Sequence, residues 1–382
     1  MAAALRVVEV ETTLPSAGRV LGEQVHADRD SPASDVSAMD GYAIRIADLR
    51  TSSVNVIGEI QPGQPPTALP LNHALRIFTG AVIPQGAEAV VMREDTDESS
   101  VDRVAWRERA QAVVRGENIR FRGENGKQGD RIVDSGSLLN AASIAALANF
   151  GASPIALYRR VRVTILVTGN ELCETTARPQ PWQLRDSNGP TLAAVCAQHD
   201  WLDCRHCLRC PDDTHALEQT LRESIAQSDA VLLTGGVSKG DYDYVPAVIA
   251  RLGARIHFHG LPIRPGRPIL GAVSEDGKTI LGLPGNPVSA IVGMTRFGVP
   301  LLAKQSGQRD WQPFPRPVST TGSIDKTLPL HWFRLVSLIG PSLAQLTPSQ
   351  GSGDLVALSR STGFIHQPPG SSGPGPWSYF PW

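Results

Sequence analysis

Cysteine is scarce in this chain, and its distribution does not suggest a disulfide framework. Five cysteines occur among 382 residues, an odd count in a long chain, whereas disulfide scaffolds are typical of short secreted proteins. Residues 1–11 contain one arginine and no long apolar core, so they do not resemble a secretory signal. We therefore expect a reducing environment and a cytoplasmic location.

Long apolar runs and an excess of one charge are also missing. No stretch approaches the roughly 20 apolar residues that span a bilayer. The 36 basic and 37 acidic residues nearly cancel, which gives no general attraction to nucleic acid or to an anionic membrane. We expect a soluble protein with neither partner, in which any anion binding depends on a local cluster.

Glycine and proline are abundant instead, with 36 and 30 residues. They recur in short turn motifs rather than in a low-complexity tract: DGYA, TGAVIPQGA, TGN, TGGVSKG, RPGRP and LPGNP. Such turns are typical of many short strands and of strand-to-helix junctions. The length exceeds the roughly 250–300 residues of a single core, so we expect a multidomain α/β plus β protein.

Three parts can be distinguished along the chain. Residues 1–158 show β-like runs at 89–92, 101–106 and 131–133 and one helix at 143–150, which predicts a β-rich region of two interleaved domains. Residues 159–306 alternate strands with helices, which predicts a mostly parallel sheet. Residues 307–382 lose the helical pattern and predict a small, β-barrel-like module, in which 355–358 is one of the short segments. For the tail, two alternatives stay open: it is partly unpaired, or it docks through its aromatic residues.

Within the α/β part, capping residues and buried runs define the elements. Residues 161–167 form an apolar run that predicts a strand buried on both faces. Ser187 and Asn188 can cap one helix, and Asp212 and Asp213 can cap the next. Further strands are predicted at 230–234, 255–259, 269–273 and 279–283, and further helices at 245–252 and from Pro287.

Four turn motifs follow strands of this sheet, at 168–171, 234–243, 264–267 and 283–289. Ligands of open α/β sheets bind beyond the carboxyl ends of the strands. The glycines of TGGVSKGD let backbone N–H groups approach an oxyanion, although a tight strand-to-helix turn would use the same residues. Arg264 and Arg267 are solvated arginines by default, but Ser238 and Ser289 as added donors favour an anion site.

Acidic residues occur in the same loops: Glu171, Asp212, Asp213, Asp241 and Asp243. Mg²⁺ takes a few carboxylates together with substrate phosphate oxygens, although helix capping explains Asp212 and Asp213 equally well. The spacing Cys204-x-x-Cys207-x-x-Cys210 resembles a metal motif. Because these cysteines lie where a buried strand is expected, we favour packing.

Taken in order, these motifs resemble those of molybdopterin molybdenumtransferases, the family of MoeA and of the E domain of gephyrin. The motifs that carry the resemblance are SAMDGYAI, TGAVIPQGAEAVVM, NIRFRGEN, TGNEL, DSNGP, PDD, TGGVSKGDYDYV, RPGRP and LPGNPVSA. The resemblance implies a central MogA/MoaB-like α/β domain, β-rich N-terminal domains and a small C-terminal β domain. It also implies a homodimer whose active site joins the α/β domain of one subunit to the N-terminal domains of the other.

The implied reaction inserts molybdate into adenylated molybdopterin, with Mg²⁺-dependent release of AMP. Molybdopterin adenylyltransferase and apo-molybdoenzymes are the implied partners. The resemblance assigns residues to four roles. These are catalysis (Asp40, Thr79, Glu171, Asp243), substrate binding (Asp186, Asn188, Gly235, Gly236, Ser238, Pro284, Pro287), molybdate binding (Ser238, Arg264, Arg267, Ser289) and metal binding (Asp212, Asp243).

The chain departs from the family pattern at several positions. Arg264 and Arg267 replace the usual lysines of RPGRP, Asn125 replaces an aspartate, and Pro246 replaces a lysine. Asn125 and Pro246 motivate an alternative function, a scaffold paralogue that binds intermediates without turnover. A third hypothesis is an enzyme that adenylates molybdopterin with ATP, although DGYA, TGAVIPQG and the C-terminal module speak against it.

Overall fold

A computed structural model describes residues 4, 7–11, 13, 17–100, 102–238, 240 and 243–382. The chain divides into two compact units. The first comprises Met1–Glu23, Asp134–Ile144 and Ser153–Trp382, and the second comprises Gln24–Val133 and Ala145–Ala152. The three parts predicted from the sequence, with boundaries at residues 158 and 306, stay predictions.

No helix within the described residues is long and apolar enough to cross a membrane.

Short strands dominate the chain up to residue 158. The strands are β1 (Val8–Glu11), β2 (Val25–His26), β3 (Val36–Ser37), β4 (Gly41–Ile44), β5 (Ser53–Ile60), β6 (His73–Ile77), β7 (Ala89–Met92), β8 (Thr96–Asp97), β9 (Arg103–Trp106), β10 (Ile119–Arg120), β11 (Arg131–Val133) and β12 (Ile155–Tyr158). The helices are α1 (Ala141–Asn149) and 3₁₀ turns at Ile46–Arg50, Arg93–Asp95 and Glu108–Ala112.

The second unit is organised by a sheet of strand order β7-β4-β6-β5-β9-β8. All its pairings are antiparallel except β5 with β6. Alternation of apolar and polar residues along β5 and β9 buries Val54 and Val104 in one core, which is the pattern expected of strands with one solvated face. The predicted β-rich character of this region is confirmed.

From residue 161 strands and helices alternate. The strands are β13 (Val161–Thr168), β14 (Leu172–Cys173), β15 (Leu184–Arg185), β16 (Leu202–Cys210), β17 (Ala230–Thr234), β18 (Arg255–His259), β19 (Ile263–Arg264), β20 (Leu270–Val273) and β21 (Thr279–Leu283). The helices are α2 (Asn188–Ala197), α3 (Thr214–Gln227), α4 (Val245–Arg251), α5 (Pro287–Gly293), a π-helical turn at Met294–Gly298, and α6 (Val299–Gln305).

The main sheet has the order β16-β13-β17-β21-β20-β18. Strands β16, β13, β17 and β21 run parallel, and β20 runs antiparallel to both of its neighbours. Val163, Ile165 and Val167 of β13 pack on one face with α2 and α5, while Leu166 packs on the other with α3 and α4. Burial on both faces explains the continuous apolar run of β13, and the mostly parallel sheet is confirmed.

The C-terminal part forms a closed barrel. Its elements are β22 (Arg316–Thr320), β23 (His331–Gly340), β24 (Leu343–Leu346), α7 (Leu355–Ser359), β25 (Gly363–Gln367) and β26 (Trp377–Pro381). Strands β23-β24-β22-β26-β25 follow one another, and β25 pairs back with β23, which closes the ring. Closure leaves no free sheet edge in the ring, and the predicted barrel is confirmed.

One expectation for this module was wrong, and one open alternative is resolved. Residues 355–358 are helical rather than extended, because the carboxylate of Asp354 accepts a hydrogen bond from the Ala357 N–H and caps α7. Of the two alternatives for the tail, docking through its aromatic residues is the one observed, although only Trp377–Pro381 of the tail forms a strand. Trp377, Tyr379 and Phe380 are buried, since β26 completes the barrel wall.

The barrel and the α/β sheet share one hydrophobic core. Phe333, Phe364 and Phe380 of the barrel lie in the same cluster as Val288 and Ile291 of α5. Phe333 and Phe364 meet edge to face, with ring centroids 5.5 Å apart. The first unit is therefore continuous across the predicted boundary at residue 306.

Candidate functional site

The loops after β13, β17 and β21 meet at one edge of the main sheet, because Val167 is in register with Thr234 and Thr234 with Leu283. The glycines of the TGG turn make this approach possible. Gly235 has a φ of +92°, and a Cβ there would lie 2.6 Å from the carbonyl oxygen of Thr168. A side chain at this position would displace the neighbouring loop.

Asn188 connects these loops. Its amide nitrogen donates to Thr234 Oγ1 (2.8 Å) and to the carbonyl oxygen of Gly285 (2.7 Å). Both amide hydrogens are thus donated within the protein, and Oδ1 is the atom left for a ligand. Pro284 is buried beside this junction, and Pro287 begins α5.

The hydrogen bond that caps α2 comes from Asp186 rather than from the predicted Ser187 and Asn188. Asp186 Oδ1 accepts from the Gly189 N–H at 2.9 Å, and the carboxylate is buried. Ser187 makes no side-chain capping bond. The predicted substrate residues Asp186 and Asn188 therefore also hold the first turn of α2.

Asp212 and Asp213 differ in their contacts although they are adjacent. Asp213 caps α3 by accepting from the Ala216 N–H at 2.8 Å. Asp212 instead accepts from the Asn170 N–H, and Asn170 Oδ1 accepts from the Asp212 N–H, both at 3.0 Å. Helix capping accounts for Asp213, whereas Asp212 braces the loop that carries Glu171.

The remaining acids lie in the loops themselves. The carboxylate of Glu171 folds over Gly169, whose Cβ position would lie 2.8 Å from it. Asp243 Oδ2 accepts from the Gly240 N–H at 2.5 Å, so Asp243 closes the loop ahead of α4. The predicted metal candidate Asp241 lies outside the described residues.

Within the described residues, no group of three His, Cys, Asp or Glu side chains could hold a metal ion. Mg²⁺ commonly takes a few carboxylates together with substrate oxygens, and the metal role of Asp212 and Asp243 stays a prediction.

The cysteine segment is an edge strand rather than the buried strand that we expected. Residues 205–209 of β16 are exposed, because β16 begins the sheet order and has a neighbour on one side. Cys204 packs against the core on one face of the sheet, and Cys210 lies in the core on the other. Sulfurs on opposite faces cannot ligate one ion, so the CxxCxxC spacing does not form a metal site.

A cleft of about 940 Å³ brings together most of the predicted oxyanion residues. Arg264, Arg267, Pro284 and Ser289 line it, whereas Ser238 is not among its lining residues. Gly266 has a φ of +97°, and its Cβ position would lie 3.6 Å from the Ser289 carbonyl oxygen, so the RPGRP turn packs directly on α5. The cleft is cationic, because arginines line it and its described lining contains no carboxylate.

Sequence reasoning missed the wall of the cleft that comes from the barrel. Trp332 and Arg334 of β23 line it, together with Ser349 and Ser352 of the loop after β24. Burial lowers the pKa of the Arg334 guanidinium, which still remains charged at neutral pH. No turn motif marks Trp332 or Arg334, which lie two residues apart within a strand and so share one face of it.

In the second unit, the predicted catalytic residues Asp40 and Thr79 are directly bonded. Asp40 Oδ1 accepts from the Thr79 N–H (2.7 Å) and from Thr79 Oγ1 (2.8 Å). These bonds, with smaller contributions from Arg76 and Arg93, lower the pKa of the Asp40 carboxyl. Asp40 is thus ionised at neutral pH. A carboxylate with a lowered pKa is a weak base, so it is better suited to accept hydrogen bonds than to abstract a proton.

The structure shows the local contacts of two departures from the family pattern, Asn125 and Pro246. Asn125 Oδ1 accepts from the Arg120 guanidinium at 3.1 Å, so a neutral amide occupies the place expected for an acid. Pro246 lies in the first turn of α4, where it leaves no backbone donor unsatisfied.

Two family models match the sequence. One describes the MoeA N-terminal region (domain I and II) and covers residues 1–151, and the other describes a probable molybdopterin binding domain and covers residues 164–304. The solved molybdopterin biosynthesis moeA protein from Pyrococcus horikoshii is 25% identical. It superposes with a TM-score of 0.83 and covers 99% of this chain and 95% of its own.

Curated relatives agree with the family models. A molybdopterin molybdenumtransferase from Nostoc is 39% identical over 78% of this chain and 69% of the relative. A molybdopterin molybdenumtransferase from Staphylococcus aureus is 32% identical over 96% of this chain and 91% of the relative. Because the likeness covers nearly the whole chain in sequence and in fold, this protein belongs to the molybdopterin molybdenumtransferase family.

Proposed function

We propose that this enzyme acts in molybdenum cofactor biosynthesis by inserting molybdate into adenylated molybdopterin, with Mg²⁺-dependent release of AMP. The transferase activity follows from family membership across 96% of the chain. The scaffold alternative is not favoured by these relatives, which bear the transferase name. The adenylating alternative is disfavoured because the N-terminal 151 residues match the MoeA region.

The cationic cleft carries the proposal for molybdate. Molybdate is a tetrahedral dianion, and guanidinium forks bind such oxyanions through paired, charge-assisted hydrogen bonds. Arg264, Arg267 and Arg334 supply the charge, and Ser289 supplies a hydroxyl donor. Among the described residues, none of the three arginines is neutralised by an ion pair, which supports an anionic ligand.

The loops after β13, β16 and β17 are proposed to bind the adenylated pterin. In the Gly235-Gly236 turn the Gly235 N–H donates to the carbonyl oxygen of Leu283, so Gly236 is the glycine proposed to offer a backbone N–H to the phosphates. Asp186 and Asn188 offer acceptors to the ring systems. Asp212 and Asp243, with Glu171 nearby in the braced loop, would hold Mg²⁺ together with phosphate oxygens. The bound cation would neutralise the charge that develops as the phosphoanhydride is cleaved.

AMP release from adenylated molybdopterin, with and without molybdate and Mg²⁺, tests the activity. We expect molybdate-dependent release and a product that activates an apo-molybdoenzyme. Tight binding without release would instead support the scaffold hypothesis, and Asn125→Asp would then be the variant to compare.

The anion pocket has its own test. Arg264→Ala or Arg267→Ala should raise the half-saturating molybdate concentration at least tenfold, since each removes a charged donor worth about 1.5–3 kcal/mol. The affinity for the adenylated pterin should change much less. Equal loss of both affinities would contradict the division of the site.

We further propose a cytoplasmic homodimer in which Asp40 and Thr79 complete the active site of the partner subunit. Light scattering should give twice the mass of the 40.9 kDa chain. A mixture of inactive Asp40→Asn and Asp243→Asn subunits should regain about a quarter of the activity, because mixed dimers contain one intact site. No recovery in mixed dimers would place Asp40 and Asp243 in the same subunit's site.

A further inference from the structure

The first part of the RPGRP turn is tied to the barrel by backbone hydrogen bonds. Strand β19 pairs in parallel with β23, with Ile263 in register with His331 and Arg264 with Trp332. The His331 N–H also donates to the Pro262 carbonyl oxygen at 2.9 Å. Arg264 and Trp332 are therefore neighbours on paired strands, and both line the cationic cleft.

Three cations surround the indole of Trp332. The guanidinium carbon of Arg334 lies 4.4 Å from the centroid of the ring, that of Arg264 lies 5.1 Å away, and Lys326 Nζ lies 5.7 Å away. Each distance is within the range of a cation–π contact, for which tryptophan is the best aromatic partner. Arg267 has no such contact among the described residues.

Cations that converge on a site without carboxylates repel one another. In most proteins a neighbouring acid would hold them, but an acid in this cleft would also repel a dianionic ligand. An aromatic face attracts cations through its quadrupole without adding a net charge that opposes the anion. Trp332 can thus hold Arg264 and Arg334 in place and leave their full charge available.

Fixing the arginines in advance has a consequence for affinity. A free arginine side chain loses considerable rotamer freedom when it is ordered by a ligand. Stacking on Trp332 and pairing of β19 with β23 order Arg264 before the ligand arrives. Preorganisation of this kind strengthens anion binding without taking part in the chemical step.

We propose that Trp332 is a positioning residue for the oxyanion site, which holds Arg264 and Arg334 ready for molybdate. The inference rests on the proposed function. It adds a role for the barrel. The barrel residues that line the cleft carry no sequence motif, and through Trp332 they would set the affinity for molybdate.

The test compares Trp332→Leu, which removes the aromatic face, with Trp332→Phe, which keeps a weaker one. We expect Trp332→Leu to raise the half-saturating molybdate concentration for AMP release about tenfold, which corresponds to about 1.4 kcal/mol. Trp332→Phe should raise it about threefold, consistent with a weaker cation–π contact. The rate at saturating molybdate should stay within about twofold of the wild type, as expected of a positioning role.

Trp311 offers a matched control, because Lys304 Nζ lies 5.1 Å from the centroid of its ring and Trp311 does not line the cleft. Trp311→Leu should leave the half-saturating molybdate concentration unchanged. Equilibrium dialysis of molybdate against each variant gives a second measure that does not depend on turnover.

Wild-type protein that neither binds molybdate nor releases AMP would refute the proposed function itself. If the wild type does both, and a folded Trp332 variant has the same half-saturating molybdate concentration as the wild type, this inference alone is refuted. A loss confined to the rate at saturating molybdate would also refute it, since the residue would then act in the chemical step.

Discussion

At the scale of the residue, Asp229 shows how one carboxylate joins several segments. Its side chain is buried, and it accepts hydrogen bonds from the guanidinium groups of Arg159 and Arg162 and from the Arg162 N–H. Lys278 Nζ lies 3.6 Å away. Burial by itself raises the pKa of Asp229, but the hydrogen bonds from the two arginines outweigh it and lower the pKa.

Asp229→Asn should lower the free energy of unfolding by roughly 3–5 kcal/mol, because the cations around the site would lose their buried partner. Urea denaturation measures this. Asp203→Asn is the control: Asp203 pairs with Arg205 at the surface, and exposed pairs contribute about 0–1 kcal/mol. Equal effects of the two substitutions would contradict the role given to Asp229.

The lowered pKa of Asp229 also sets a pH dependence. A carboxyl whose folded pKa is depressed stabilises the protein above its unfolded pKa of about 4, and that contribution is lost as the pH falls further. The wild type should therefore lose stability between about pH 4 and pH 2 more steeply than Asp229→Asn. If the stability of the wild type and of Asp229→Asn falls in parallel with pH, the pKa of Asp229 is the same in the folded and unfolded states, which would contradict this prediction.

At the scale of the element, the adjacent aspartates before α3 separate stability from function. Asp213→Ala should cost about 1 kcal/mol, the usual effect of losing a helix cap, and leave activity unchanged. Asp212→Asn should keep the stability near that of the wild type but lower AMP release at least tenfold, because the variant loses a carboxylate that we propose as a metal ligand. Thermal unfolding and AMP release check the pair, and a reversed pattern would exchange the two roles.

A histidine on the barrel strand β25, His366, is a second pH-sensitive group. His366 Nε2 lies 2.7 Å from His331 Nδ1. Burial, His331 and Arg296 lower the pKa of His366 to about 4. The unfolded chain binds a proton near pH 6.5 and the folded chain does not, so stability is lost as the pH falls from about 6.5 to about 4.

Between about pH 6.5 and pH 4, His366→Gln should lose about 2 kcal/mol less unfolding free energy than the wild type. This is less than the full pKa shift of His366 implies, because the ring is partly exposed. Urea denaturation at several pH values measures the difference. His206→Gln replaces an exposed histidine of β16 and provides the control for loss of a histidine at the surface. A wild-type slope retained in His366→Gln would assign the effect to other groups.

At the scale of the whole molecule, the shared core predicts that the α/β sheet depends on the barrel. A chain ending at residue 306 would expose the surface of α5 that Phe333, Phe364 and Phe380 cover. We expect it to be insoluble or to bind hydrophobic dyes, which soluble expression and dye binding would test. A soluble, cooperatively folding fragment would show that the barrel is dispensable for folding.

Two phenylalanines provide a milder version of this experiment. Phe364 is fully buried, and Phe364→Ala should cost about 3–5 kcal/mol. Phe314 is 89% exposed, and Phe314→Ala should stay within about 0.5 kcal/mol of the wild type. The contrast separates loss of the shared core from loss of aromatic surface in general.

The sequence by itself determined the elements and the family. Period, capping and burial are local properties, so the apolar run of β13 and the glycine turns after β13, β17 and β21 could be located without a structure. The ordered motifs also led to Arg264, Arg267 and Ser289, which do line one cleft. The roles of Asp40, Thr79 and the metal residues remain proposals that the predicted experiments test.

The tertiary structure decided what depends on contacts between distant segments. It showed that Asp212 braces Asn170 while Asp213 caps α3, a difference that adjacent, identical residues cannot reveal. It made the cysteine segment an edge strand, because strand order is not encoded locally. It also brought Trp332 and Arg334 beside Arg264, since the pairing of β19 with the barrel strand β23 sets that register.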